Sequence, residues 1–573
     1  MLPDGCRVPK VLFFLELGIL KCQFVRPCFN YLQFYPHLRS AAALNKSLTS
    51  GLSPAHLEMI FWALNPNNMK YNLLLLLLLL SFAGCKKDKQ DPATDEEFFV
   101  NEDAATFSQI SSLDIGDTGA AEISAFDPAT NRLFVVNNGT VNKIDVIDFK
   151  DPANMKVIGS ILMAPYGGAV NSVSVSDGKL AAAIESTNKQ ANGKVAVFKT
   201  SDYTEIKVIT VGALPDMITF SPDGKYILTA NEGEPNDAYT VDPAGTVSII
   251  SVSDNYSVVT VDFSALASQQ AALTAKGFRI FGPGKSFVND IEPEYITVSA
   301  DSKTAWVTLQ ENNAIAKIDI ASKTVTNIFP LGFKDYNLDG NEIDVSDLDS
   351  KTALAKWNVK GIYMPDGIAL LESAGVPYLF TANEGDSREY TGFSEVKRVR
   401  SIKLDPTLFP TASILQLDAQ LGRLNMTNTL GDTDGDGDFD AIYSLGARSF
   451  SVWNGNDGLQ VFDSKNELDV KTIAAGVYDD TRSDDKSVEP EGITIGKIGN
   501  KNVAFVGMER ADAVAVYDVT IPTKPVFLQL LKCGDAPEGV LIIPAKDSPT
   551  KKSLLVVSSE NDGVITVYTP KTV

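Results

Sequence analysis

Histidine is nearly absent from this chain. Two of its 573 residues are histidine, His37 and His56, and none follows. From Cys85 onward a Ser-His-Asp or Cys-His catalytic set is therefore excluded, and so is histidine-ligated zinc or haem. Cysteine is scarce too. Of five in the chain, Cys6, Cys22 and Cys28 lie far upstream, leaving Cys85 and Cys533. If Cys85 carries lipid, no intramolecular disulfide can form after it. Positive charge is the third deficit. Fifty Lys and Arg stand against 72 Asp and Glu, a net charge of −22. Nucleic acid and an anionic membrane surface are poor partners for such a chain, and cations are good ones.

The one long apolar run is brief. Met69-Lys70-Tyr71-Asn72 leads into leucines at every position from Leu73 to Leu80, then Ser81-Phe82-Ala83-Gly84-Cys85. A bilayer-spanning helix needs about 20 apolar residues, so this run is too short. A short charged region, an apolar core and small residues before a cysteine resemble a bacterial lipoprotein signal. Residues 69–85 are read as that signal, with Cys85 the lipidated residue. Residues 1–68 are patternless and are read as an extension upstream of the true start at Met69. Residues 86–104, polar and without periodicity, are read as a tether. The expected location is the cell envelope, periplasmic or on the cell surface, with the membrane reached through the lipid and the protein a monomer.

From residue 105 to the C-terminus a short unit recurs. Pro or Ala, an acid and a small apolar run lead through a turn into a β-rich run and a second acid. Clear copies begin at Pro215 (PDMITFSPDGKYILTANEGEP), Pro293, Pro365, Pro490 and Pro537, with weaker ones near Glu122, Asn171 and Gly446. A β unit repeated about every 40 to 50 residues is the signature of a propeller. The expectation is an all-β chain forming a single closed β-propeller, eight blades by unit count. Seven is the alternative if the unit near Gly446 is irregular. Residues 106–115 (TFSQISSLDI) read as a strand that completes the last blade and closes the ring. Residues 331–361 and 389–445 do not fit the unit and are read as two acidic insertions, long enough to be functional or disordered.

The loop GFKDYNLDGNEIDVSDLD, the segments TANEGDSREY and LGRLNMTNTLGDTDGDGDFDAIYSLGARSFSVWN, and RSDDKSVEPEGITIG, taken with the repeats, resemble the choice-of-anchor I domain family. The resemblance runs from about Ala105 to the C-terminus. It implies a bacterial extracellular β-propeller, similar also to mesenchyme-specific cell-surface glycoproteins, with attachment to a surface. It does not supply a reaction.

The phase of the unit says where the acids go. The first acid precedes the innermost strand and the second follows the returning strand, so both sets face one side of the disc. The first set is Glu122, Asp216, Glu294, Asp366, Glu491 and Glu538. The second is Glu232, Glu311, Glu384, Glu509 and Glu560. A crown of carboxylates this dense must be screened, protonated, paired or bound to cations. The alternative is that each acid only pins its own blade. Arg388, Arg448, Arg482 and Arg510, with Lys486, are candidate partners and candidate contacts for an anion. A sharper cation signal is Asp432, Asp434, Asp436, Asp438 and Asp440, with Gly437 at the sixth place of the calcium-loop spacing. Tyr443 stands at position 12, where that loop carries a bidentate Glu. Asp335, Asn337, Asp339 and Asn341 start similarly, with Asp344 and Asp347 beyond.

Two functions compete. One is a calcium-stiffened surface module that binds a glycan, a protein or a small molecule. The other is a calcium-dependent hydrolase of phosphate esters or related substrates, with metal-activated water and an arginine orienting the anion. No nucleophile motif decides between them.

Overall fold

The computed structural model describes residues 98–284 and 286–573. The leader, Cys85, the upstream segment and most of the tether lie outside the described residues. The chain divides into two units, and the one described runs from Glu97 to Val573.

Hydrophobic runs of the unit become strands that are buried on both faces. Arg132–Asn137 (RLFVVN) and Leu554–Ser559 (LLVVSS) are examples. A sheet packed between two neighbouring sheets has no solvent face, so its central strands lose the alternation of a half-exposed strand. The turn between the first two strands is built by side chains. Ser221 Oγ reaches Asp223 at 2.8 Å, and Ser299 Oγ reaches Asp301 at 2.8 Å. The equivalent of Gly224 (φ 66°) in the next unit is Ser302 (φ 59°).

Seven four-stranded antiparallel sheets result. In the copy at Pro215 the strands are Pro215–Phe220, Tyr226–Asn231, Thr246–Ser251 and Ser257–Val261, paired in sequence order. The innermost strands touch in cyclic order, and Pro537–Ile543 contacts both Pro490–Ile498 and Ser124–Asp127. The strand read at residues 106–115 is longer, Glu102–Asp114. It pairs antiparallel with Val564–Thr572, from Glu102 opposite Thr572 to Asp114 opposite Val564, and forms the outer edge of the last sheet. The first and last segments of the chain thus share one blade. Phe107 is buried beside Phe505 of the preceding blade, and Gln529 both donates to and accepts from the Phe107 backbone at 2.7 and 2.9 Å.

The count of eight is corrected to seven. The unit at Pro365 supplies only an inner pair, Ile368–Ser373 and Val376–Asn383. The weak unit near Gly446 supplies only an outer pair, Ser449–Asn454 and Gln460–Asp463. Asn383 opposite Ser449 and Tyr378 opposite Asn454 join them into one sheet. A long insertion between the second and third strands made one blade look like two.

The two acidic insertions fold together. Phe333–Asp335 and Lys360–Ile362 from the first join Tyr443–Ser444 from the second in a three-stranded sheet. Tyr336, Ile343 and Val359 of the first pack with Val399, Leu424, Met426 and Ile442 of the second in a separate apolar core. Arg448, 1% exposed, holds this body to the propeller by donating to the Asp344, Ser483 and Asp485 carbonyls at 2.6 to 2.9 Å.

Candidate functional site

Five of the seven innermost strands, those after Pro215, Pro293, Pro365, Pro490 and Pro537, enter the disc through one motif, and its residues have separable jobs. Proline fixes φ at the entrance. The residue before it is turned to positive φ in four units, at Leu214 (46°), Met364 (44°), Glu489 (48°) and Ala536 (57°), which aims the following acid at the mouth. Glycine after the acid is steric. A Cβ on Gly367 would lie 2.4 Å from the Glu491 carbonyl, and one on Gly492 would lie 2.3 Å from the Glu538 carbonyl. Neighbouring acid-bearing backbones touch only because these positions lack side chains.

Seven equivalent first positions follow: Glu122, Asn171, Asp216, Glu294, Asp366, Glu491 and Glu538. The seven second positions, each directly after its strand, are Asn138, Glu185, Glu232, Gln310, Glu384, Glu509 and Glu560. Glu311 lies one residue past its expected place. Gln310 holds that place and donates to Glu384 Oε2 at 2.9 Å. Glu185 was missed because its unit begins with Asn171. Glu292 and Glu489 were missed although the pattern Glu-Pro-Glu announces both. Glu234 and Asp386 follow the second acid by two residues and also join the cluster.

The electrostatics are those of a crowded ring of mostly half-buried carboxyls. Burial raises Glu122 to about 8, and Glu560 and Asp216 add to the shift against a hydrogen bond from Asn138. Burial and Glu234 raise Asp216 to about 6. Burial, partly offset by Arg388, leaves Glu292 at about 7. Burial, partly offset by Arg510, does the same for Glu509. Glu232, Glu294, Glu311, Asp366, Glu491 and Glu538 are all pushed well up by burial and then by one another. Glu384 is the exception. Burial would raise it, but Lys486 Nζ at 2.8 Å and the Gln310 amide hold it below its ordinary value.

The crown is not uniform. Glu122, Glu185, Asp216, Glu232, Glu234 and Glu538 line an open cavity of about 380 Å³, faced by Lys189. On the opposite side Asp366, Glu384 and Glu491 each offer an oxygen within 4.8 Å of the others, and Glu384, Glu489 and Glu509 do the same. Tyr295 stands in the channel among Asp366, Glu538, Asp216 and Glu491. Beyond it a cavity of about 360 Å³ is lined by Met217, Thr219, Thr494 and Val540.

The arginines are committed to protein partners. Arg388 is 1% exposed and pairs with Asp290 and Glu292 at 2.7 and 2.8 Å. Arg448 is held by the Asp344 carbonyl of the insertion body and by the Ser483 and Asp485 carbonyls outside it. Arg482 pairs with Asp485 and Glu489, and Arg510 with Glu489 and Glu509. Arg388 and Arg448 are thus enclosed, and only Arg482 and Arg510, at 31% and 34% exposure, reach solvent.

In the insertion, Asp432, Asp434 and Asp440 bring oxygens within 4.8 Å of one another. Asp405, Asp438 and Asp440 form a second such group. Asp405 lies too far back in the sequence for a loop-spacing argument to find it. Asp438 also pairs with Lys403 at 2.8 Å, and Asp436 Oδ1 accepts from the Asp438 backbone at 3.0 Å. Tyr443 lies in the three-stranded sheet opposite Lys360. The acids of the similar loop at Asp335 are satisfied by protein. Asp335 pairs with Lys360, Asp339 with Lys356 and Asp347 with Arg423, and Asp344 accepts from the Ala353 backbone.

The profile of the choice-of-anchor I domain matches residues 122–522, more than half of the chain. The chain belongs to the choice-of-anchor I domain family. The match begins at the first acid of the crown and takes in both insertions. Choice-of-anchor I domains are extracellular, cell-surface modules, and among the described residues no helix is long and apolar enough to cross a membrane. The domain is similar to Gigasin-3a of Magallana gigas, 26% identical over 188 residues, covering 27% of this chain and 66% of that protein, just under two thirds. Among solved structures it resembles Kuenenia stuttgartiensis hydrazine synthase, at 12% identity and TM-score 0.42, covering 80% of this chain and 97% of that one. It also resembles the RRP9 WD40 repeats, at 8% identity and TM-score 0.44, covering 82% and 99%.

Proposed function

We propose that this choice-of-anchor I domain is a lipid-anchored binding module of the bacterial cell envelope, stiffened by Ca²⁺ in its insertion body, with its ligand taken at the acidic mouth. The ligand is a glycan, a protein or a small molecule. The observation that carries the reading is the delivery of carboxylates from every blade to one concave face beside an open cavity. Oxygen-only donor sets at Asp432, Asp434 and Asp440, and at Asp405 and Asp438, suit Ca²⁺ rather than a softer metal. Bound there, the ion cross-links the loop to the Asp405 segment and removes the repulsion between its acids. The hydrolase reading needs a guanidinium available to an anion; Arg388 and Arg448 are enclosed, and Arg482 and Arg510, which reach solvent, are already paired with Asp485, Glu489 and Glu509.

Calcium should therefore raise the melting temperature of the chelator-treated protein. Binding to the folded state alone adds RT ln(1 + [L]/Kd), about 2.7 kcal/mol at one hundred times Kd. Asp434→Ala with Asp440→Ala, which removes a donor from each group, should abolish most of that rise, and an unchanged response in scanning calorimetry would place the ion elsewhere. The anchor is tested separately. Cys85→Ala should move the protein from the membrane fraction to the soluble fraction, and a variant that stays membrane-bound would sink the lipid anchor. Binding at the mouth is tested on an immobilised glycan and matrix-protein panel, comparing the parent with Glu232→Gln, Glu234→Gln. Equal binding by the two would move the ligand off this face.

A further inference from the structure

We propose that the face opposite the acidic mouth, at the blades that begin with Pro490 and Pro537, is a membrane-contact surface. Its partner is the anionic bilayer that carries the lipid of Cys85. This rests on the lipid anchor of the preceding section and adds an orientation to it: the mouth points away from the membrane. Chain direction gives the sidedness. The third strand of each blade starts at the mouth, after the second acid, and runs away from it. Ala513–Asp518 and Val564–Thr572 therefore end on the opposite face. Glu102–Asp114 pairs antiparallel with Val564–Thr572, so it begins on that opposite face. The N-terminal connection reaches the propeller there, and the stretch from Cys85 to Phe98 can extend for at most about 45 Å. A lipid on Cys85 thus keeps this face close to the bilayer.

Apolar side chains are exposed around that entry. Phe98 and Phe99 are 49% and 58% exposed, and Ile521 and Val526 are 59% and 57% exposed. Ile521 and Val526 line an open cavity of about 350 Å³ with Lys501 and Lys524. The turn leading into Lys501 lies against the start of the edge strand, where a Cβ on Gly499 would stand 2.6 Å from the Glu102 carbonyl oxygen. Glu102 also binds Ser553, and in the same turn Lys551 Nζ lies 5.9 Å from the centre of the Phe98 ring. The two apolar pairs therefore belong to one patch, centred on the point where the chain enters.

The charge of the patch is opposite to that of the chain. Lys524, Lys546, Lys551 and Lys571 are exposed and make no ion pair among the described residues. The acids beside them are Asp103, Asp547 and Asp518, and the last is already paired with Lys501 at 2.8 Å. The net charge of −22 does not oppose contact with anionic lipid. A strand of six residues such as Ala513–Asp518 spans about 20 Å, whereas exposed charges in physiological salt are screened over about 8 Å. The bilayer meets the local lysines, and the acids of the mouth stand beyond screening range. Lysines pair with anionic headgroups while aromatic and aliphatic side chains enter the headgroup region. A patch of this kind binds reversibly, so it orients a lipidated protein without replacing the lipid.

The test uses residues 86–573, which contain the whole unit from Glu97 to Val573 and do not depend on lipid at Cys85. A histidine tag before Lys86 holds the protein on nickel-chelating lipid. In a Cys533→Ser background, an environment-sensitive dye is attached through Ile521→Cys or through Leu417→Cys, the latter 55% exposed on the insertion body at the mouth side. On vesicles of phosphatidylcholine with phosphatidylglycerol, emission from the dye at Ile521→Cys should rise at least twofold and shift to the blue. Emission from the dye at Leu417→Cys should stay as it is in solution. Lys524→Glu with Lys551→Glu should abolish most of the rise, as should vesicles of phosphatidylcholine alone, and circular dichroism checks that the variants fold. No rise at Ile521→Cys, a rise that survives the lysine reversals, or a response at Leu417→Cys instead would overturn the surface. Failure of the native lipid anchor shows separately, as a Cys85→Ala protein that stays in the membrane fraction after washing.

Discussion

Arg388→Met should destabilise the protein by about 3 to 5 kcal/mol, the usual cost of removing one partner of a buried ion pair. Arg388 donates Nε to Glu292 at 2.9 Å, one terminal nitrogen to Asp290 at 2.7 Å and the other to the Asp290 carbonyl at 2.8 Å. Its guanidinium also lies 4.5 Å from the centre of the Phe281 ring. Methionine keeps much of the volume but leaves two buried carboxyls facing the other acids of the mouth. The measurement is a urea unfolding midpoint at unchanged slope. Adding Glu292→Gln should recover part of the loss, since the two sites share one network. A loss below about 1 kcal/mol would mean that the pair is hydrated in solution.

In the presence of chelator, lowering the pH from 8 to about 5.5 should raise the melting temperature. Unfolded Asp and Glu titrate near 3.8 and 4.5, but folded Asp216 titrates near 6, Glu292 and Glu509 near 7 and Glu122 near 8. The folded state then holds more protons across that window, so stability falls as the pH rises through it. A carboxyl raised from 3.8 to about 6, as Asp216 is, corresponds to about 3 kcal/mol, and coupling makes the sum over the ring smaller than its parts. Glu384 has the opposite sign. Its contribution is present above about 4.5 and is lost below, so stability should turn down again in stronger acid. A melting temperature that climbs with pH in chelator would show that the ring is solvated rather than buried.

The fold was legible because the unit carries a local rule at every step: proline at the entrance, an acid, a serine- or glycine-built turn, and a run of β-branched residues. What failed was counting. The Pro365 unit lost its outer strands to an insertion, and the Gly446 unit lost its inner ones. Periodicity cannot show that two half-units hydrogen-bond to each other across more than 60 residues of intervening chain. At the mouth, the acids that begin a strand were readable because proline marks them. Glu185 and Asp405 were not, since the first lacks the acid that usually opens its unit and the second meets its partners only through tertiary packing. The arginines misled for a related reason. Proximity to an acidic motif in sequence gave no information on whether Arg448 faces the channel or three backbone carbonyls.

The shared blade also decides how the molecule bears load. Any pull arriving from the N-terminal side enters at Glu102, the first residue of the edge strand. Its carboxylate grips the Ser553 N–H at 2.8 Å and the Ser553 hydroxyl at 2.6 Å. Just before it, the Asn101 carbonyl accepts from the Val573 N–H at 2.9 Å; that bond, the Glu102 grip and the Glu102–Thr572 pair are the first to be strained, ahead of the Gln529 clasp on Phe107. Tension thus falls first on the seam where the two ends of the chain meet, and its rupture would release the edge strand while the other six sheets keep all their strands.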